Sequence, residues 1–229
     1  MTRIRFQQSL EELKEQLLVM AGLAEQSIQR AIEAYRVRDL SICDLVNRSE
    51  LAINRLEREI DQAALDLLAM EQPMAIDLRF ILSVIKINAD LERVGDAAKS
   101  ISDRVRSMEQ MAHAELPVDI PRMAELAEEM VRKSLQSFIE GDAELARSIL
   151  TMDDAVDTMN RAAYKALTKV MEEQSHLAPQ ALNALMISRA LERVADHATN
   201  IAEEVVYLYE AVDIRHTVHK TNEAENPDR

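Results

Sequence analysis

Acidic side chains four residues apart recur at matching places in the two halves of this sequence: Glu92 with Asp96, then Glu192 with Asp196. On an α-helix that spacing stacks two carboxylates one turn apart on a single face. Oxygens held this way can grip a hard or borderline cation. Asn200 adds an amide oxygen one turn beyond Asp196, and Asp103 and Glu203 prolong the two stripes. A second set precedes each pair. Glu50, Asn54, Glu57 and Asp61 advance by four, three and four residues, and Asp153, Asp157 and Asn160 repeat the start of that pattern. The candidate metal ligands are therefore Glu50, Glu92, Asp96, Asp153, Asp157, Glu192, Asp196 and Asn200. An isolated ExxxD is most often a solvated helix face paired with a base such as Lys99 or Arg193. Recurrence in both halves lifts these pairs above that background. Arg93 and Arg193 read as partners of the nearby carboxylates.

Other chemistries find less support. Glu173 and His176 make the single ExxH, whereas a carboxylate-bridged di-iron bundle needs two facing each other. His197 beside Asp196 could add a nitrogen ligand, but its counterpart in the first half is Ala97. Cys43 lies in an apolar helical pattern with Leu40 and Val46 and reads as packing. No phosphate-binding GxxxxGK[ST], GxGxxG, CxxC, HExxH or GxSxG pattern occurs, and no nucleophile stands with its base.

The elements that carry the stripes are legible from self-similarity. Met20-Ala-Gly-Leu-Ala-Glu25 matches Met123-Ala-Glu-Leu-Ala-Glu128 at an offset of 103, and Leu91-Glu-Arg-Val-Gly-Asp96 matches Leu191-Glu-Arg-Val-Ala-Asp196 at 100. The chain is a tandem duplication of a unit of about 100 residues, the size of a small domain. Each unit reads as three helices. A capping box of Ser9 and Glu12 opens the first, whose Leu10, Leu13, Leu17, Met20, Ala24, Ile28 and Ala31 recur three or four apart. Asp39 caps the second, which runs to about Met70 before Pro73 breaks it. The third spans about 74–108. The remaining helices cover roughly 120–140, 142–173 and 177–213, with Gly141 a terminator. Long helices with short connections make antiparallel neighbours. The fold class is all-α, a tandem repeat of two antiparallel three-helix bundles with six long helices. The units are 1–111 and 119–216, joined by a linker at 112–118 and followed by a polar tail at 217–229.

Composition agrees with helices throughout. Gly occurs 3 times and Pro 5 times, too few for a hairpin-rich fold. Apolar residues at 48% supply a core, and a formal charge of −14 repels phosphate backbones and anionic lipids, so neither nucleic-acid binding nor direct membrane insertion is expected. With no hydrophobic leader and no long apolar run, a cytoplasmic location is expected.

Glu71-Gln-Pro-Met-Ala-Ile-Asp-Leu-Arg79, the paired Glu-Arg-x-x-Asp motifs and Asp213-Ile-Arg-His216 resemble the PhoU family over residues 5 to 216. The resemblance implies two three-helix bundles related by pseudo-symmetry, with E(D)xxxD motifs that hold iron or zinc clusters. Clustered carboxylates also suit Mg, Mn or Ca. Carried across, the motifs fall on Glu92/Asp96 and Glu192/Asp196, with Asp153/Asp157 a further pair. The first-unit counterpart is Glu50/Asn54, where an amide replaces a carboxylate and weakens the site. Family members often carry ERIGDxxxNI in both units; here Ser100 stands for the Asn and Ala195 for the Gly. The implied role is regulation without catalysis, a restraint on phosphate uptake and on the phosphate-starvation (Pho) regulon. The implied partners are the transporter ATPase PstB, the sensor histidine kinase PhoR and a second copy of the chain in a homodimer. The competing expectation from the stripes alone is a carboxylate-bridged metal enzyme or metal-storage bundle.

Overall fold

The computed structural model describes residues 3–215; the polar tail at 217–229 and His216 of the family-like motif lie outside them. Six long helices follow in order: α1 (Arg3–Val37), α2 (Leu40–Glu71), α3 (Ile76–Ser107), α4 (Ile120–Glu140), α5 (Ala143–Glu173) and α6 (Ala178–Glu210). A 3₁₀ turn, Ser175–Leu177, leads into α6. Helix α1 starts at Arg3, so Ser9 and Glu12 lie inside it and form no capping box. The expected N-cap at Asp39 is present, its carboxylate accepting from the Ser41 N–H at 2.8 Å. Asp119 and Asp142 cap α4 and α5 in the same way, accepting from the Arg122 and Leu145 N–H groups at 3.0 and 2.9 Å. Helix α6 stops at Glu210, three residues short of the expected end, where Ala211 turns left-handed with φ 57°.

The turns between equivalent helices differ. Gly141 closes α4 at φ 69°, whereas Arg38 occupies the matching place after α1 at φ 58°. A side chain there is strained, and the Arg38 guanidinium offsets the strain by donating to the Met108 carbonyl at 2.8 Å.

Within each unit every helix packs on the other two, and the units join through α3 against α6 and α1 against α4. The main core is shared. Leu13, Leu17, Ile28, Ile53, Ile87 and Leu91 from the first unit belong to one buried cluster with Phe138, Ile149, Val156, Ile187 and Leu191 from the second. Phe80 of α3 stacks on Phe138 of α4, with ring centroids 6.2 Å apart. Among the described residues no helix is long and apolar enough to cross a membrane.

Candidate functional site

The buried seam of α2 runs through Val46, Ile53, Ile60 and Ala64, and that of α3 through Leu91, Val94, Gly95 and Ala98. Glu50, Asn54, Glu57 and Asp61 border the first seam, and Glu92 and Asp96 border the second. Because α2 and α3 pack together, their flanking stripes face a common strip of surface. Glu92 is pushed above the ordinary carboxylate range by burial, then by Asp96, Glu57 and Glu50, with Arg93 pulling the other way. The two helices thus gather one cluster from four carboxylates.

The α5–α6 pair repeats the construction. Asp153 is raised to about 6, first by burial and then by Asp196, Asp157, Asp154 and Glu192. Glu192 rises through burial, Asp196 and Asp157, opposed by Arg189 and Arg193. Asp196 rises through burial and Asp157, opposed by His197. Seven of the eight candidate ligands therefore fall into two clusters, Glu50, Glu92 and Asp96 in one and Asp153, Asp157, Glu192 and Asp196 in the other. Meeting across two helices is what helix periodicity could not establish.

Each cluster is tied together by a polar contact between its helices. Asn88 donates to the Asp61 carboxylate and the Glu57 carbonyl, both at 2.9 Å. At the matching place the Ser188 hydroxyl donates to Asn160 Oδ1 at 2.8 Å. Within the first cluster Asn54 Nδ2 donates to Glu50 at 2.8 Å. Within the second, Arg161 pairs with Asp157 at 3.0 Å. Asp103 is engaged by Lys99 at 3.1 Å, about two turns along from the first cluster.

Asn200, the eighth candidate, is engaged elsewhere. Its amide donates to Asp90 Oδ1 at 3.1 Å across the α3–α6 junction, and His197 Nδ1 meets the same oxygen at 2.9 Å. Lys86 of α3 also reaches Glu204 of α6 at 2.7 Å. Asp90, Lys86 and Glu204 do not stand out in the sequence. Recurrence cannot find them, because their counterparts are Ala190, Met186 and Arg104. One signal exists: Glu204 falls on the apolar face of its helix, between Ile201 and Leu208, and an acid there needs a partner.

Hard-cation chemistry suits the donor set. Asp153 Oδ1 and Asn54 Oδ1 are buried with no hydrogen-bond partner among the described residues, and crowded carboxylates raised by one another favour a counter-ion. No set of three or more His, Cys, Asp or Glu side chains among the described residues surrounds one point as a finished cage. A cation would draw the side chains of α2 and α3, or of α5 and α6, inward.

Known proteins share this architecture. The model of the PhoU domain matches residues 17–105 and again 120–205. The phosphate-specific transport system accessory protein PhoU homolog of Pseudomonas aeruginosa is 35% identical over 215 residues, covering 93% of this chain and 88% of that protein. The crystal structure of PhoU from Pseudomonas aeruginosa superposes with a TM-score of 0.88, covering 90% of this chain and 100% of that one at 35% identity. The phosphate transport system regulatory protein PhoU from Streptococcus pneumoniae does so with a TM-score of 0.84 at 30% identity, covering 91% and 98%.

Proposed function

The chain belongs to the PhoU family, a premise on which we propose that it is an accessory regulator of phosphate-specific transport. It restrains uptake and keeps the phosphate-starvation regulon silent when phosphate is plentiful. The observation that carries this reading is the extent of the likeness: both repeats, with the helix pairs that build both acidic clusters, lie inside the matched length. Relatives bear names of accessory and regulatory proteins, and we assign that kind of role here in preference to catalysis.

In this reading the protein works at the cytoplasmic face of the membrane, as a homodimer that docks on the ATPase PstB and on the sensor kinase PhoR. An acidic helical surface suits docking on basic patches of such partners. Divalent or trivalent metal ions, iron or zinc foremost, bind at the two clusters. Glu50, Glu57, Glu92 and Asp96 would hold one, and Asp153, Asp157, Glu192 and Asp196 the other. Bound metal would supply positive charge that relieves the repulsion among these carboxylates and fixes α2 on α3 and α5 on α6.

The test is genetic. Deleting the gene should switch on a phosphate-starvation reporter in high phosphate, and the intact chain supplied in trans should silence it again. A reporter that stays silent in the deletion strain refutes the role. Pull-down with purified PstB and the cytoplasmic part of PhoR then separates the two partners.

A further inference from the structure

Where α3 meets α6, a cleft of about 290 Å³ opens between the units, lined by Arg93, Asp96, Ala97, Ser100, Arg193 and His197. The two arginines occupy equivalent places in the repeats, so the pseudo-symmetry of the fold brings one guanidinium from each unit to the same space. Neither makes a hydrogen bond or ion pair among the described residues. Each lies in the field of the glutamate before it, yet in a chain with 41 acidic side chains against 27 basic ones, two arginines that share a cleft and clasp no carboxylate need a reason. The imidazole of His197 is fixed by Asp90 through Nδ1, which leaves Nε2 as its other polar atom. Ala97, the counterpart of His197, is small and keeps the space open.

We infer that this cleft is a binding site for a small oxyanion, held between the Arg93 and Arg193 guanidiniums with Ser100 and His197 completing the lining. Paired guanidiniums present forked donors that match oxyanion geometry. Occupancy would clamp the two units together across α3 and α6. Inorganic phosphate is the first probe because of the regulatory role proposed above; the site itself rests on the cleft.

The experiment is isothermal titration of the full chain with inorganic phosphate, repeated with sulfate, after chelation of metal. Saturable phosphate binding is expected. The Arg93→Gln/Arg193→Gln variant should weaken it by roughly a hundredfold, about tenfold for each guanidinium removed from the anion. Both arginines are exposed, so circular dichroism should show the variant folded. Asp96→Asn, which removes the negative charge in the lining, should tighten binding several-fold. Lys165→Gln/Arg189→Gln, in a separate groove beside Glu192, should change nothing. Three results would overturn the site: no saturable binding of either anion, undiminished binding by the Arg93/Arg193 variant, or weakened binding in the Lys165/Arg189 variant instead. Silence toward both phosphate and sulfate, with an intact reporter response in the deletion experiment, would remove the site and leave the regulatory role standing.

Discussion

Equivalent helix pairs build the two acidic clusters, yet the clusters differ in how their charge is managed. In the first, Asn54 donates to Glu50, so an amide dipole quiets one carboxylate from within the stripe. In the second, Asp157 stands at the position of Asn54 and Asp153 at that of Glu50, so no amide donates to Asp153, and Asp157 is held instead by Arg161, one turn further along. The shorter Asp153 side chain also stays closer to the helix, where burial raises its carboxyl further. Asp153, Glu192 and Asp196 are raised in the second cluster, with Asp153 at about 6, and Glu92 is raised in the first. One amide exchanged for one carboxylate adds a negative charge to the second cluster and removes a donor from it.

The same helix pairs differ in packing just beneath the clusters. A Cβ added to Gly95 would sit 2.9 Å from Ile53 Cδ1 and 3.3 Å from its Cγ2, so an alanine there obliges the β-branched Ile53 side chain to shift. At the matching places of the second unit stand Ala195 and Val156, both fully buried in the shared core. A valine is one methylene smaller than an isoleucine, and an alanine one methyl larger than a glycine, so the two exchanges offset each other in volume. The two pairs are alternative solutions to one packing volume.

The largest expected effect is on metal affinity. Asp153→Asn/Asp157→Asn should lower cation affinity at the second cluster by roughly a hundredfold or more, while Glu50→Gln at the first should cost about tenfold or less. Equilibrium dialysis with elemental analysis measures both, and equal losses at the two clusters would erase the distinction drawn between them.

Next in size is the packing exchange. Gly95→Ala should destabilise the fold by about 1–2 kcal/mol, because the overpacking cost exceeds the gain in helix propensity. Ile53→Val in the same chain should restore most of that loss. Urea denaturation of the two single variants and the double variant supplies the cycle, and additive effects would show that the residues do not compensate.

The smallest effect concerns protons. Asp153 is raised in the folded state from an ordinary value of 3.8 to about 6, so the folded chain binds the extra proton in that interval. Its contribution favours the folded state at low pH and is lost as pH rises from about 4 through about 6, by about 1 kcal/mol after discounting for solvent. In metal-free protein, Asp153→Asn should therefore be more stable than the parent at pH 7.5 and close to it at pH 4. Thermal melts across that range test the sign. An Asn variant less stable than the parent at pH 7.5 would mean that the Asp153 charge is already compensated.

Much of this organisation is legible in the chain because it is local or repeated. The cap at Asp39 acts within two residues, and apolar spacing fixes which face of each helix is buried. The Ser9–Glu12 capping box fails for a physical reason: polar residues of the right spacing also occur inside a long helix, and nothing local stops α1 from extending back to Arg3. The acidic stripes stand out because duplication preserved them. Asp90, His197 and Asn200 form a contact that exists on one side of the junction alone, so duplication cannot reveal it. Spacing therefore groups Asn200 with Asp196, whereas its amide donates to Asp90.

The sequence by itself determined six helices, their buried faces, the repeat and the carboxylates on each stripe, since a period of 3.6 residues converts spacing directly into direction. The packing of helices set which stripes share a surface, the rise of Glu92, Asp153, Glu192 and Asp196, and the meeting of Arg93 and Arg193 in one cleft. Those outcomes depend on the rotation and approach of helices distant in the chain, which packing volumes such as Gly95 against Ile53 set and no single-helix pattern contains.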